Sequence, residues 1–264
     1  MRIRDNFRPS AKVFCLSLLL ATLIGLTWAL PPIPQPPEYH HFADQRSCLG
    51  LPNCLDTASN ALFVLAGLAG LAGLHFLLGS SARRAFIEPR EALPYALFFF
   101  AAILVGLGSG WYHLAPDNGR LVWDRAAIAL AFMAWLTAVL CERVGPRAGL
   151  RLLPLLVAAG LGSVAYWHLS EARGAGDLRL YGLVQITPML LIPLLLRLYP
   201  PRYSGDRDLA IIIGLYLLAL LCDFGDRRIF TLTGALVSGH TAKHLIAGLA
   251  GYWVVRRLQR RRIL

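Results

Sequence analysis

The chain has 264 residues, of which 56% are hydrophobic and 16% are charged. This composition is typical of a membrane protein and excludes an ordinary soluble domain. The net charge of +11 at pH 7 does not indicate nucleic-acid binding, because the basic residues alternate with apolar runs and form no single surface with interleaved aromatic residues.

Long apolar runs recur along the whole chain, and about 20 apolar residues cross a bilayer as a helix. The loops between the runs contain Pro and Gly clusters such as "PPIPQPP", "APDNG" and "YPPRYSGD". We therefore expect an all-α integral membrane protein, with a seventh span that is short. The eight predicted spans are Lys12–Leu30, Thr57–Leu78, Ala92–Tyr112, Asp124–Cys141, Leu150–His168, Leu180–Tyr199, Leu209–Cys222 and Leu236–Val255.

The first apolar run has two interpretations. Residues 1–30 combine a basic start, "MRIRDNFRPSAK", with an apolar core, as in a signal peptide or an uncleaved signal anchor. The core is long for a signal peptide and no clear A-x-A cleavage site follows it, so an anchor is favoured. Residues 31–264 then form the main membrane domain.

The distribution of Lys and Arg predicts the orientation, because cytoplasmic loops carry an excess of these residues. The excess places both termini in the cytoplasm. We expect a multi-pass protein, located in the bacterial inner membrane. The predicted inside loops contain Arg83, Arg84, Arg90, Arg143, Arg147, Arg151, Arg197, Arg202 and Arg207, whereas the predicted outer side has Arg46, Arg120, Arg125, Arg173, Arg179, Arg227 and Arg228.

Three histidines converge at the predicted outer, periplasmic face. His113 ends the third span, and His240 and His244 lie in the first turns of the last span. His240 and His244 are four residues apart on one helix face, a spacing that can bind one metal ion. Three imidazoles with one open position describe a catalytic zinc site, in which Zn²⁺ lowers the pKa of bound water to about 7. An isolated histidine such as His168 is more often packed or solvated.

Two further polar residues lie beside this predicted zinc site. Asp124 begins the fourth span at the same face, and Ser109 is one helical turn deeper than His113 on the same helix face. Asp124 could orient or deprotonate the water, and the Ser109 hydroxyl could donate to an oxyanion. We therefore predict Asp124 and Ser109 as catalytic residues, with His113, His240 and His244 as the metal ligands.

The stretch "SGWYHLAPDNGRLVWDR", with "SGHTAKH" far downstream, resembles the alkaline ceramidases. It is most similar to their bacterial phytoceramidase-like relatives, in a superfamily that includes the adiponectin-type receptors. The shared motif is Ser-x-x-x-His, a later Asp, and His-x-x-x-His in the last helix. The stretch "FADQRSCLGLPNCLDTASNALF" also resembles the segment that leads into the family's first core helix, and the resemblance extends from about Tyr39 to Arg257.

This resemblance implies a seven-transmembrane-helix core around one Zn²⁺, here with one extra N-terminal hydrophobic helix. It implies a hydrolase that cleaves the linear amide bond of ceramide-like N-acyl lipids to a fatty acid and a sphingoid base. The implied partners are the lipid substrate and the bilayer, with no nucleic acid and no protein partner. Eukaryotic members carry a calcium site before the first core helix, whose full ligand set this sequence lacks, so we expect no calcium.

Two other classes of function fit the sequence less well than an enzyme does. A receptor-like membrane protein with a structural zinc would be expected to carry a sizeable soluble signalling segment, and the sequence offers only short tails for one. A metal transporter would need polar residues that continue across several helices to the inner face, and the spans show no such series. The enzyme is therefore the favoured expectation.

Other polar residues near the predicted site have less specific interpretations. Asp44 and Asp56 are more readily explained as solvated loop residues than as a polar cap over the site. For Asp223 and Asp226, pairing with Arg227 or Arg228 is the favoured explanation.

Three further features complete the sequence-based expectations. Lys243 is predicted to lie off the His240/His244 face and to extend to the lipid headgroups. Cys48 and Cys54 share the predicted outer loop, where a disulfide and two free thiols remain equal alternatives. The small-residue stripe "LFVLAGLAGLAGL" favours close helix packing over room for an acyl chain.

Overall fold

The computed structural model describes residues 9–79 and 85–264, and in these ranges it is built from helices without any strand. Arg83 and Arg84, like Arg2, Arg4 and Arg8, lie outside the described residues. Two short 3-10 helices cover Pro37–His40 and Pro89–Glu91. The α-helices are α1 (Pro9–Ala29), α2 (Cys54–Ser59), α3 (Ala61–Gly79), α4 (Ala92–Leu114), α5 (Asn118–Arg143), α6 (Pro146–Ala172), α7 (Arg179–Leu198), α8 (Asp206–Phe224), α9 (Asp226–Leu232) and α10 (Gly239–Arg260).

Six helical segments of the described chain are long and apolar enough to cross a membrane, and they make the chain a multi-pass membrane protein. Helices α8 and α9 qualify together as a seventh, although they are bent by 81°. Helix α10 does not qualify, because the polar start "GHTAKH" and its terminal arginines lower its hydropathy. The predicted all-α membrane class is confirmed, with six or seven segments of the described chain that could span a membrane.

Side-chain caps fix the starts of two of the three helices that carry the predicted site. Asp117 precedes α5, and its carboxylate accepts a hydrogen bond from the Arg120 backbone N–H at 2.8 Å. Ser238 precedes α10, and its hydroxyl accepts from the Thr241 backbone N–H at 2.9 Å. Each cap satisfies a backbone donor that the helix itself leaves unpaired.

The helices pack as a bundle in which α4 lies between α3 and α5, and α10 lies between α3 and α8. Helix α6 packs on α5, α7 contacts both α5 and α6, and α1 lies against α7, while contacts between α7 and α8 are sparse. The small residues of α3 permit its approach to α4, since a Cβ at Gly67 would lie 2.5 Å from the Phe99 carbonyl oxygen. At Gly70 a Cβ would lie 2.1 Å from the Phe99 ring, so the predicted packing role of this stripe is confirmed.

A buried ionic cluster joins α4, α5 and α10 at the end of the bundle away from the histidines. Glu142 accepts hydrogen bonds from Arg257 Nη2 at 2.8 Å and from the Tyr95 hydroxyl at 2.5 Å, and it also pairs with Arg261. All four side chains are buried. Because each charge has an opposite charge beside it, the cluster fixes the relative positions of these three helices at that end.

The loop before α2 is closed by a disulfide between Cys48 and Cys54, whose Cα atoms are 5.6 Å apart. The alternative of two free thiols is therefore wrong. The bond connects the loop to Cys54, the first residue of α2. This helix also contains Asp56 and Ser59.

Candidate metal centre

Three histidine side chains from two helices meet in the structure. His113 lies at the end of α4, and His240 and His244 lie in the first turns of α10. One nitrogen atom from each ring lies within 4.8 Å of the other two, and the Nε2 atoms of His113 and His240 are 3.2 Å apart. All three residues are buried. The predicted convergence of the three histidines is therefore present.

Hydrogen bonds fix the tautomers of the two α10 histidines. His244 Nδ1 lies 3.1 Å from the Asp56 carbonyl oxygen and 2.9 Å from the Ser59 hydroxyl. Because a carbonyl oxygen only accepts, Nδ1 carries the proton and Nε2 keeps its lone pair. His240 Nδ1 lies 2.8 Å from Asp223 Oδ1, so in the neutral ring the proton lies on Nδ1 and Nε2 is the nitrogen with the free lone pair.

The arrangement of these nitrogens fits a metal ion. Two imidazole nitrogens bound to one tetrahedral ion at the usual zinc–nitrogen distance are about 3.3–3.4 Å apart, which is close to the 3.2 Å between His113 and His240. The Nδ1 proton of each α10 histidine is held by an oxygen acceptor, as is usual for metal-bound histidines. The three buried histidines could therefore hold a metal ion, and imidazole ligands suit zinc among other transition metals.

Asp56 connects α2 to the start of α10 directly behind His244. Its Oδ1 accepts hydrogen bonds from the Ser238 hydroxyl at 3.0 Å and from the Thr241 hydroxyl at 2.5 Å. Its side chain is fully buried. The prediction of a solvated loop residue is wrong for Asp56, because the disulfide-linked loop folds against α10 and places this carboxylate over the cap of that helix.

Asp44 is also buried and not solvated, so the same prediction is wrong there. Its carboxylate makes a bidentate pair with Arg46, with an Nη2–Oδ2 distance of 2.7 Å. The hydrogen bonds from Arg46 hold the pKa of Asp44 below its ordinary value. The pair fixes the loop next to the histidines.

Asp223 and Asp226 both bind the start of α10, and the prediction that they pair with Arg227 or Arg228 is wrong. Asp226 accepts from the His240 backbone N–H at 2.8 Å through Oδ1 and from the Ala43 N–H at 2.9 Å through Oδ2. The bend at Gly225 between α8 and α9 brings both carboxylates to α10.

This contact between α8, α9 and α10 depends on the absence of a side chain at Gly239. A Cβ there would lie 2.1 Å from the Cys222 carbonyl oxygen and 2.6 Å from the Asp226 Cα. The glycine therefore allows His240 to approach both acidic residues.

Lys243 does not extend to the lipid headgroups as predicted. Its Nζ lies 3.1 Å from Asp223 Oδ1 and 3.3 Å from His240 Nδ1, and the side chain is largely buried. The carboxylate on the neighbouring helix α8 is within reach of the amine, so an ion pair forms inside the protein.

Asp124 and Ser109, the two predicted catalytic residues, lie at one end of a cavity of about 230 Å³, together with His244 and Lys243. Both are buried, and Asp124 interacts electrostatically with Lys243 and with Ser109. Within the described residues, Asp124 Oδ1 has no hydrogen-bond partner. An unpartnered carboxylate oxygen is therefore present beside the histidines.

The rest of the cavity is apolar and extends away from the histidines. Its wall includes Val105, Trp135 and Ala250. Trp135 lies about three turns, or about 16 Å, further along α5 than Asp124. The cavity therefore combines a polar end beside the histidines with a long apolar part between the helices.

The loop before α2 covers the histidines with an aromatic ring that sequence reasoning missed. The centroid of the Phe42 ring is 4.6 Å from that of His113 and 4.5 Å from that of His240, and Phe42 is buried. His40 in the same loop contacts the Tyr112 hydroxyl at 2.8 Å, and burial lowers the pKa of His40 below its ordinary value. The aromatic cluster in "YHHF" is a sequence signal for this contact.

No protein-family model matches the chain, and no curated protein matches it either. The functional interpretation therefore depends on the geometry of the site and on the chemistry of its side chains.

Proposed function

We propose that the protein is a zinc-dependent intramembrane amidase that hydrolyses ceramide-like N-acyl lipids to a fatty acid and a sphingoid base. One observation carries this proposal. Three buried histidines with a converging pair of Nε2 atoms lie beside a long apolar cavity, and the same end of the cavity holds a hydroxyl and a carboxylate with one unpartnered oxygen.

In this proposal His113, His240 and His244 hold Zn²⁺, which when bound polarises a carbonyl oxygen and water as a Lewis acid. A structural zinc site is normally closed by four protein ligands. The described residues group only these three around the site, which favours a catalytic role over the receptor-like alternative with a structural zinc.

The side chains around the histidines can perform the proton transfers that amide hydrolysis needs. Asp124 accepts a proton from the attacking water as a general base and then donates it to the leaving amine nitrogen. A bond forms between the water oxygen and the carbonyl carbon, and the carbon–nitrogen bond breaks. The Ser109 hydroxyl donates a hydrogen bond to the oxyanion that forms in between.

The apolar part of the cavity suits an acyl chain. Each CH₂ group buried in the apolar part contributes about 0.8 kcal/mol to binding. A lipid whose acyl chain fills this part places its amide at the polar end, next to Asp124 and Ser109. An N-acyl lipid already in the bilayer meets this requirement, since its acyl chain and its amide enter together.

We further propose that residues 1–30 are an N-terminal anchor and that α3 to α8 and α10 are the seven-helix core. The excess of Arg in alternate loops supports a bacterial inner-membrane orientation with the zinc site near the periplasmic face and the C-terminus in the cytoplasm. The disulfide Cys48–Cys54 lies in the loop that covers the histidines. Disulfides persist in the periplasm, which agrees with this orientation.

The experiment is to incubate the purified, zinc-loaded protein with ceramides and with other N-acyl amide lipids, and to measure the products by mass spectrometry. We expect equal amounts of fatty acid and free amine from at least one of these lipids. An Asp124→Asn variant provides the inactive control. Absence of both products from every lipid, with zinc bound, would contradict the proposed activity.

A further inference from the structure

Arg125 is a buried cation in the wall of the same cavity, and the proposed mechanism does not use it. It follows Asp124 on α5, and only 4% of its surface is exposed. Its Nη2 donates to the Gln35 side-chain oxygen. Among the residues that the structure describes, no carboxylate accepts a hydrogen bond from Arg125, and its Nη1 has no partner at all.

An aromatic cage holds the Arg125 guanidinium in place. Its central carbon lies 4.1 Å from the Trp167 ring centroid, 5.1 Å from that of Tyr181 and 5.4 Å from that of Tyr39. Cation–π contacts of this kind stabilise a buried guanidinium without neutralising its charge. Other buried arginines of this chain, such as Arg257, instead pair with a carboxylate.

Arg125 and Lys243 are both part of the cavity wall at its polar end. The carboxylates beside them are Asp124 and Asp223, so the two cations match the two acidic groups. Behind the histidines, Asp226 and Asp56 add two more carboxylates, which balance a divalent cation bound there. The wall therefore keeps one buried guanidinium donor, Arg125 Nη1, that has no partner among the described residues, and such a donor favours an anionic acceptor on the ligand.

We propose that Arg125, with Lys243, binds an oxyanion on the polar part of the lipid. The preferred substrate is then an N-acyl lipid that carries a phosphate or a chemically similar anionic group, and not a neutral ceramide. This inference rests on the proposed function for the cleavage step. Binding of the anionic group itself does not depend on cleavage.

The first arm of the test compares the hydrolysis of ceramide 1-phosphate and ceramide by the wild type and by Arg125→Gln, both zinc-loaded. We expect the wild type to have the higher kcat/KM for the anionic lipid. The ratio of kcat/KM for ceramide 1-phosphate to kcat/KM for ceramide should fall about 10- to 100-fold in the variant, which is the effect of one hydrogen bond to a charged group. The matched control is Arg120→Gln, which removes a cation of the same helix at a residue that is not part of the cavity wall and should leave the ratio unchanged.

A purely electrostatic effect of Arg125 on Asp124 gives a different result. In that case Arg125→Gln slows hydrolysis of both lipids by the same factor, and the ratio stays that of the wild type. That outcome, or a wild-type preference for the neutral lipid, overturns the proposal while leaving the amidase activity in place.

The second arm measures binding without hydrolysis, by native mass spectrometry with hexadecyl phosphate, hexadecanol and inorganic phosphate. We expect hexadecyl phosphate to bind about 10-fold or more tightly than hexadecanol, and Arg125→Gln to abolish the difference. Arg125→Lys keeps the charge but loses the planar donor fork, so it should retain part of the preference even if the Gln variant does not fold. Equal binding of the two alkyl ligands, or inorganic phosphate binding as tightly as hexadecyl phosphate, contradicts a lipid-borne anion.

The two arms separate this inference from the proposed function. If neither lipid is hydrolysed but hexadecyl phosphate binds through Arg125, the amidase proposal fails and the anion site stands. If both lipids are hydrolysed and Arg125→Gln changes neither the ratio nor the binding, the anion site fails and the amidase stands.

Discussion

Asp124 differs from the other acidic residues around the histidines because it combines a place in the cavity wall with an oxygen that has no partner among the described residues. The carboxylate oxygens of Asp223 and Asp226 contact the His240 ring and the backbone N–H of His240 at the start of α10. Asp56 accepts two hydroxyl hydrogen bonds through Oδ1, and although its Oδ2 has no partner among the described residues, Asp56 is not part of the cavity wall. Asp124 Oδ1 has no partner within the described part of the chain. A carboxylate with an unoccupied acceptor beside the cavity is the one best suited to take a proton from a ligand.

Replacement of Asp124 by Asn keeps the shape of the side chain and removes its basicity. We expect turnover to fall by about 10²-fold or more, the usual effect of a positioned proton transfer, with the metal content unchanged. Ser109→Ala should cost about 10² in rate, as for one oxyanion donor. Both variants are measured for zinc content and product formation, and full activity of a zinc-loaded Asp124→Asn protein would assign this residue a structural role.

At the residue level, the sequence predicted that the five motif residues lie close together, because fixed helical spacing and chain topology place them. It failed for Asp56, Asp223, Asp226 and Lys243. Their partners depend on a bend between α8 and α9 and on a loop that folds over α10. Neither feature has a periodic sequence signal. For Asp223 and Asp226, pairing with the nearest arginine in the sequence was therefore the wrong rule.

Among the helices, the contact between α10 and the α8–α9 bend determines the position of His240. Gly239→Ala should force the two apart, because the new Cβ meets the Cys222 carbonyl oxygen and the Asp226 backbone. We expect a loss of about 1–3 kcal/mol in stability and weaker metal binding. Gly214→Ala on α8, where nothing lies within 4 Å of a new Cβ, is the control, and equal effects of the two substitutions would refute this role of Gly239.

The connection between α6 and α7 provides a pH-dependent contribution to stability. Hydrogen bonds from Arg179 lower the pKa of Asp177 to about 2, whereas an unfolded Asp has a pKa of about 3.9. Because the folded pKa is the lower one, the contribution is complete above about pH 4 and is lost as the pH falls toward 2.

Thermal unfolding of Asp177→Asn tests this contribution. The variant should melt below the wild type at pH 7, and the two melting temperatures should converge as the pH falls from about 4 to 2. A difference that stays constant over this range would mean that Asp177 acts without its charge.

For the whole molecule, the all-α membrane class followed from composition, and the number of spans did not. The last helix forms although its hydropathy is low, because the polar residues that lower its hydropathy are buried against α2 and the α8–α9 bend. A hydropathy count cannot distinguish such a helix from a surface helix, whereas the structure does so through its contacts.

The proposed orientation can be tested by cysteine accessibility in intact cells. We expect single cysteines introduced next to Arg147 and Arg202, and a label at the C-terminus, to be protected from an impermeant reagent. A cysteine in the loop beside Phe42 should be labelled, since this loop covers the histidines at the proposed periplasmic face. Labelling of the C-terminus from outside would reverse the orientation and move the site to the other leaflet.

The central claim is that zinc held by three histidines is required for amide hydrolysis, and the most direct measurement is activity against zinc content in one titration. The protein is stripped with a chelator and reloaded in steps, alongside His240→Ala and the control His168→Ala. We expect about one zinc per chain and activity proportional to zinc for the wild type and for His168→Ala. His240→Ala should show neither bound zinc nor activity. A folded, metal-free wild-type protein that still hydrolyses the lipid would contradict this claim.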